Sequence, residues 1–127
     1  MSKNFESLPL SAEIKAVLGE LGFTTPTEIQ ALSLPILLEG RDLIGQSKTG
    51  SGKTLAFTLP MLERIDFRRR AVQALVLSPT RELSVQVTRE IRKLGRRFPS
   101  LKVVSLVGGQ PFPAQATALR TGEIGRA

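Results

Sequence analysis

Residues 47–54 read SKTGSGKT, directly after the short apolar run DLIGQS (42–47) and directly before a helix-forming stretch that begins near Gly52. This order constrains the fold more than any other feature of the chain. A loop between a strand and a helix can turn several backbone N–H groups toward one point. The helix start adds its partial positive charge, so a polyphosphate is held with few side chains. Gly50 and Gly52 remove the Cβ atoms that would block that approach. Lys53 is placed to reach the β- and γ-phosphates, and the Thr54 hydroxyl to bind Mg²⁺. The pattern G-x-x-x-x-G-K-[ST] is met everywhere except at its first position, where Ser47 stands for glycine; Lys48, Thr49 and Ser51 fill the variable positions. The competing reading is a Gly/Ser-rich connection with an incidental lysine, and the order strand, loop, GKT, helix argues against it.

The rest of the chain alternates in the same way. Residues 11–21 (SAEIKAVLGEL) set Ile14, Val17, Leu18 and Leu21 on one helical face, with Ser11 as cap and Gly22 as stop. Residues 25–28 (TPTE) form a capping-box pattern with Pro26 at the first helical position, and that helix is expected to kink or end near Pro35. VQALVLS (72–78) reads as a buried strand. Residues 81–98 set Leu83, Val87, Ile91, Leu94 and Phe98 at helical spacing, with Arg89, Arg92, Lys93, Arg96 and Arg97 among the other positions. LKVVSLV (101–107) is a third strand, ended by Gly108 and Gly109; residues 110–127 carry no firm signal. Strands alternating with helices predict an α/β fold with a parallel sheet and right-handed crossovers.

Composition narrows the chemistry. The 127 residues suit one modest domain, and they include no cysteine and no histidine, which excludes disulfides, thiol catalysis and histidine-based metal sites or bases. No apolar run reaches membrane-spanning length and the start, MSKNFESLPL, is not a signal peptide, so a cytoplasmic protein is expected. Residues 1–60 hold five Lys/Arg against six Asp/Glu, whereas residues 61–127 hold thirteen against five. That asymmetry fits a second half facing a polyanion, or a solvated basic helix face.

A second constellation concerns the base. In GFTTPTEIQ (22–30) the amide of Gln30 offers a donor and an acceptor, which matches the N6/N7 edge of adenine. An aromatic ring nearby, Phe23 or Phe5 (17 residues before Gly22), can stack on it. Taken from the residues alone, such a Gln30 is more often a solvent-exposed helix residue and such a Phe5 more often a core anchor. In SPTREL (78–83), Pro79 stops the strand, Thr80 carries a hydroxyl donor, and the Arg81 fork suits a phosphate oxygen. The alternative there is a turn capped by Thr80 with a surface pair of Arg81 and Glu82. Gly108 and Gly109 permit close backbone approach, or are simply a turn.

Phe5, GFTTPTEIQ, SKTGSGKT about 20 residues later, SPTREL and the Gly108–Gly109 pair together resemble the DEAD-box family of ATP-dependent RNA helicases over residues 5 to about 113. The resemblance implies an incomplete RecA-like P-loop domain over 1–127, with the family's Q motif at about 3–31. It implies ATP and Mg²⁺ as cofactors. Phe5, Phe23, Thr25 and Gln30 fall to the adenine side, 47–54 to the phosphates and Thr54 to the metal. Pro79, Thr80, Arg81, Glu82, Gly108 and Gly109 fall to the backbone of single-stranded RNA. The loop in this family usually starts with alanine, so Ser47 is a family-like departure. GGQPF (108–112) is similar to bacterial members that act in large-ribosomal-subunit assembly. The family's DEAD, SAT and TPGR segments are missing, and no carboxylate pair ends an apolar run. A second RecA-like domain would be needed for activity, and the chain alone is expected not to hydrolyse ATP. No oligomer is expected. The strands that should lie between 42–47 and 72–78 are also missing, so unpaired edges and uncovered apolar faces are expected. Two other readings remain at this point: a non-catalytic basic RNA-binding fragment, and a P-loop ATPase of another family.

Overall fold

The computed structural model describes residues 4–109, 113, 115–116 and 124–126. The chain divides into two compact units, Met1–Arg64 and Ile65–Ala127.

The first unit is helical. A 3₁₀ turn, Phe5–Ser7, leads into α1 (Ala12–Glu20), α2 (Glu28–Leu38) and α3 (Lys53–Arg64). Ser11 caps α1 by accepting from Ile14 N, and the chain leaves the helix at Gly22 with φ +80°, a left-handed turn that favours glycine. Ile14, Val17 and Leu18 are buried together with Phe5, Leu34, Leu59 and Leu62 in the core of this unit. Each such side chain contributes roughly 1.5–3 kcal/mol by leaving water. The Ser11 N–H also donates to Glu63 Oε1 (2.7 Å), which ties the start of α1 to the end of α3.

Two expectations about α2 are corrected. Its cap is Thr27, not Thr25, and the capping-box partner is Gln30, whose Oε1 accepts from Thr27 N at 2.9 Å. Pro26 therefore precedes the helix. Of the kink or end expected near Pro35, the end does not fall there: the helix runs through to Leu38. Proline inside a helix costs about 3 kcal/mol, but Leu34 is fully buried and α2 packs along α3. Burial of that face offsets the lost backbone bond.

In the second unit, α4 (Arg81–Leu94) packs on β1 (Val103–Ser105), and β1 pairs in parallel with β2 (Ile124–Arg126) in the register Val103↔Ile124. Thr80 caps α4 through its hydroxyl, which accepts from Leu83 N at 3.1 Å. The helix stops at Gly95 rather than continuing to Phe98. Its buried stripe runs through Ser84, Val87, Thr88, Ile91 and Leu94, so Leu83 stands partly exposed on one side of it. Ser84 and Thr88 are two polar core positions that a hydrophobic pattern does not reveal. The Ser84 and Ser105 hydroxyls meet at 3.1 Å, and Arg92 Nη2 donates to Val103 O at 2.7 Å, locking helix to strand.

The third predicted strand narrows to 103–105; its pairing is parallel, but the partner is 124–126, a segment for which the sequence carried no firm signal. The strands expected at 42–47 and 72–78 are not formed: neither segment joins a ladder among the described residues. Ile44 is 99% exposed, Leu75 64% and Leu77 76%. An extended apolar segment becomes a strand only where a neighbouring segment takes up its backbone hydrogen bonds. Neither segment has such a neighbour among the described residues, and these side chains are exposed.

Candidate functional site

In the first unit the loop and α2 meet. Gly50 (φ +82°) and Gly52 (φ +94°) adopt left-handed conformations, which let the loop curl tightly into the first turn of α3. Lys53 and Thr54 are the first two helical residues, so the unpartnered N–H groups of that turn belong to the loop. Gln30, in α2, is only 4% exposed, and its Nε2 donates to Gly52 O at 3.1 Å. A Cβ placed on Gly52 would lie 2.3 Å from that nitrogen and 2.8 Å from Thr27 Oγ1. The glycine is thus required by conformation and by space. Gln30 is neither solvent-exposed nor remote from the loop: the same amide closes the cap of α2 and grips the loop.

Inside the loop the side chains bind one another. Lys53 Nζ donates to Ser47 O, and the Ser47 and Ser51 hydroxyls share a short hydrogen bond. The hydroxyl of Ser47 thus bridges across the loop, a contact that alanine could not make. Lys48, Thr49 and Gly50 are exposed. A cavity of about 430 Å³ lies between this loop and the first turns of α2, lined by Thr27, Ile29, Leu32, Ser47, Lys48 and Ser51. A second, of about 580 Å³, is bordered by Phe5, Lys15, Phe23 and Thr25. Phe5 itself is buried (3% exposed) and anchors the core, whereas Phe23 is open to solvent at 38%. Of the two aromatic candidates, only Phe23 presents a ring.

In the second unit the structure brings PTREL and the glycine pair together. Pro79, Thr80, Arg81 and Glu82 are all exposed at the start of α4. The Arg81 guanidinium lies against the Gly108–Gly109 turn: a Cβ on Gly109 (φ +84°) would sit 3.2 Å from both terminal nitrogens, and one on Gly108 3.8 Å from Nη2. The surface pair of Arg81 with Glu82 is not among the ion pairs of the described residues. Ion pairs among the described residues include Arg41–Glu39 and Arg68–Asp66, both near the surface. The Asp66 carboxyl is held below its ordinary range, chiefly by the hydrogen bond from the Arg68 side chain. Residues Gln110–Phe112, the rest of the GGQPF reading, lie outside the described residues.

For a metal, the described residues contain no group of three or more acidic ligands. Thr54 supplies one hydroxyl. That donor set suits Mg²⁺, which keeps several waters and takes the remaining oxygens from phosphate. No helix of the described residues is long and apolar enough to cross a membrane.

A glycine-curled loop feeding a helix, with a lysine at its mouth, on an incomplete α/β scaffold, defines a RecA-like P-loop domain. The sequence model of the DEAD/DEAH box helicase family matches residues 27–125, and the chain belongs to that family. It is 47% identical over 118 residues to the ATP-dependent RNA helicase DeaD of Escherichia coli, covering 93% of this chain and 19% of that protein. It is 52% identical over 103 residues to the ATP-dependent RNA helicase DbpA of the same species, covering 81% of this chain and 22% of that one. The crystal structure of a DEAD box protein from the hyperthermophile Methanococcus jannaschii superposes with a TM-score of 0.90 at 34% identity, over 98% of this chain and 34% of that one. The RNA-helicase Prp28 from Chaetomium thermophilum, bound to ADP, gives 0.86 at 41% identity, over 98% of this chain and 32% of that one. The chain therefore spans about a fifth of the length of these curated relatives. Family membership removes the P-loop ATPase of another family.

Proposed function

We propose that this chain is the ATP- and RNA-binding part of an ATP-dependent RNA helicase. The observation that carries the reading is the bond from Gln30 Nε2 to Gly52 O, which joins the adenine-side residue to the phosphate loop. An amide has two donors and two acceptor lone pairs. Gln30 uses one of each on Gly52 and Thr27, leaving one donor and one acceptor, the set that the N6/N7 edge of adenine needs. Phe23 offers a face for the base, with Thr25 beside it. The 47–54 loop takes the phosphates, where Lys53 exchanges the Ser47 carbonyl for a phosphate oxygen. Thr54 holds Mg²⁺, which when bound neutralises phosphate charge.

RNA lies along Pro79–Glu82 and Gly108–Gly109, contacted through its backbone by Arg81 and the exposed start of α4, without base readout. Hydrolysis needs a carboxylate to orient water and cations for the developing charge, and no acidic pair ends an apolar segment of the sequence. Binding without turnover is therefore the expected behaviour of this polypeptide, with a second RecA-like domain completing the enzyme. A monomer acting in the cytoplasm, in ribosome assembly, completes the proposal; the GGQPF likeness supports its last part.

The test is nucleotide crosslinking. ATP should label the parent chain in preference to GTP, and Gln30→Ala should lose that preference by roughly tenfold, the worth of one hydrogen bond to a buried polar group. Equal labelling of the parent by ATP and GTP would remove the adenine assignment.

A further inference from the structure

The second unit holds a basic surface that the family motifs do not include. Phe67 and Phe98 stack with ring centroids 5.0 Å apart and planes within 9°. Arg68, Arg69 and Arg70 follow the first ring, and Arg96 and Arg97 precede the second; all five are exposed. The stack thus joins two arginine runs nearly 30 residues apart in sequence.

Both supports are built rather than loose. The Gln73 side-chain amide accepts from Asp66 N (2.8 Å) and donates to Asp66 O (2.8 Å), fixing the turn in which Arg69 N also bonds to Asp66 O (3.1 Å). Asp66, the acid of this turn, is engaged by Arg68. On the other side Phe98 N donates to Gly95 O and Leu101 N to Phe98 O, which holds the second ring just past the end of α4. The negative end of that helix also favours the cations there.

We propose that these joined segments form a second nucleic-acid surface that takes the phosphate backbone of an RNA duplex. The polyanion choice rests on the RNA reading above; the surface itself does not. Arginine forks suit phosphate oxygens. Each ring gives one face to the other and both are only partly exposed, which leaves less ring for the unstacked bases that single-strand binders rely on. A duplex is recognised by its phosphates and shape. Arg81 opens α4 and this surface lies past its other end; 14 residues of helix put about 20 Å between them. The two contacts are thus separate.

The experiment is fluorescence anisotropy of the full chain with a labelled RNA duplex and with one of its strands, at several salt concentrations. Arg69→Glu/Arg70→Glu and Arg96→Glu/Arg97→Glu should each weaken duplex binding about tenfold. Each should also flatten the slope of log affinity against log salt by about two, the release expected for two phosphates. Single-strand binding should fall less than threefold. Phe98→Leu keeps every charge and should still weaken duplex binding several-fold; Phe67→Leu should do the same, with thermal melts confirming that both fold. Parent-like duplex binding in either arginine variant, or equal losses on duplex and single strand, overturns the proposal, and parent-like binding by both ring variants refutes the joint surface. Arg81→Ala separates the two readings: if it leaves single-strand binding intact while the arginine runs matter, the motif assignment fails and this surface stands.

Discussion

The 47–54 loop in the first unit and the Arg81 corner in the second both rest on a left-handed glycine beside a helix start, yet they are built in opposite ways. Around Gly52 the polar groups satisfy one another: Gln30 is buried and shared between Thr27 and the loop, while Lys53 sits on Ser47 O. Around Gly109 the cap is complete through Thr80, but the guanidinium that lies on the glycine is exposed. Loss of a buried member such as Gln30 leaves unsatisfied groups, at roughly 1–3 kcal/mol each, whereas water replaces the exposed Lys53. An exposed cation loses little, because water replaces its partner. One corner should therefore be brittle and the other tolerant.

Matched glycine substitutions test that difference most directly. Gly52→Ala should destabilise the first unit by about 2–5 kcal/mol, combining a left-handed residue with overpacking against the Gln30 amide. Chemical denaturation would show it, with ATP binding lost. Lys53→Ala should leave the melt nearly unchanged and weaken ATP about 10–100-fold, the range of a hydrogen bond to a charged group; RNA affinity measured alongside should not move. Gly109→Ala meets only the flexible end of Arg81, so about 1–2 kcal/mol for the backbone alone is expected, seen as a small midpoint shift. If Gly109→Ala proves as damaging as Gly52→Ala, the contrast between the corners is wrong.

The smallest effect concerns Asp66. Its carboxyl should titrate below the ordinary aspartate range, and Arg68→Ala should raise it part of the way back, because the backbone N–H of residue 68 still donates to it, as followed by carboxyl NMR shifts. A depressed carboxyl stabilises the fold above its unfolded pKa, and that contribution is lost as pH falls through the folded value. At so exposed a site the melting temperature should hardly register the loss.

The helices that carry the loop and the PTREL segment were legible because their signals are local. Ser11 and Thr80 cap where a hydroxyl precedes an apolar repeat, and Ile14, Val17, Val87 and Ile91 recur at helical spacing. Where that local reading failed, something distant prevailed. The α2 cap moved to Thr27 because Gln30 reaches back to it, and the helix passed Pro35 because Leu34 is buried. The apolar runs at 42–47 and 72–78 promised strands, but hydrogen bonds to a neighbouring chain segment make a strand, and none of the described residues supplies them.

The order of motifs, the glycines that turn the loop and the residue types fit for phosphate are properties of the sequence alone, since each depends on neighbours within a few positions. Tertiary structure decided that Gln30 is buried on Gly52, 22 residues away, that Arg81 lies on Gly109, and that two arginine runs meet through Phe67 and Phe98. Those contacts follow from how elements pack, and no local pattern encodes the partner of a side chain that folding brings from far along the chain.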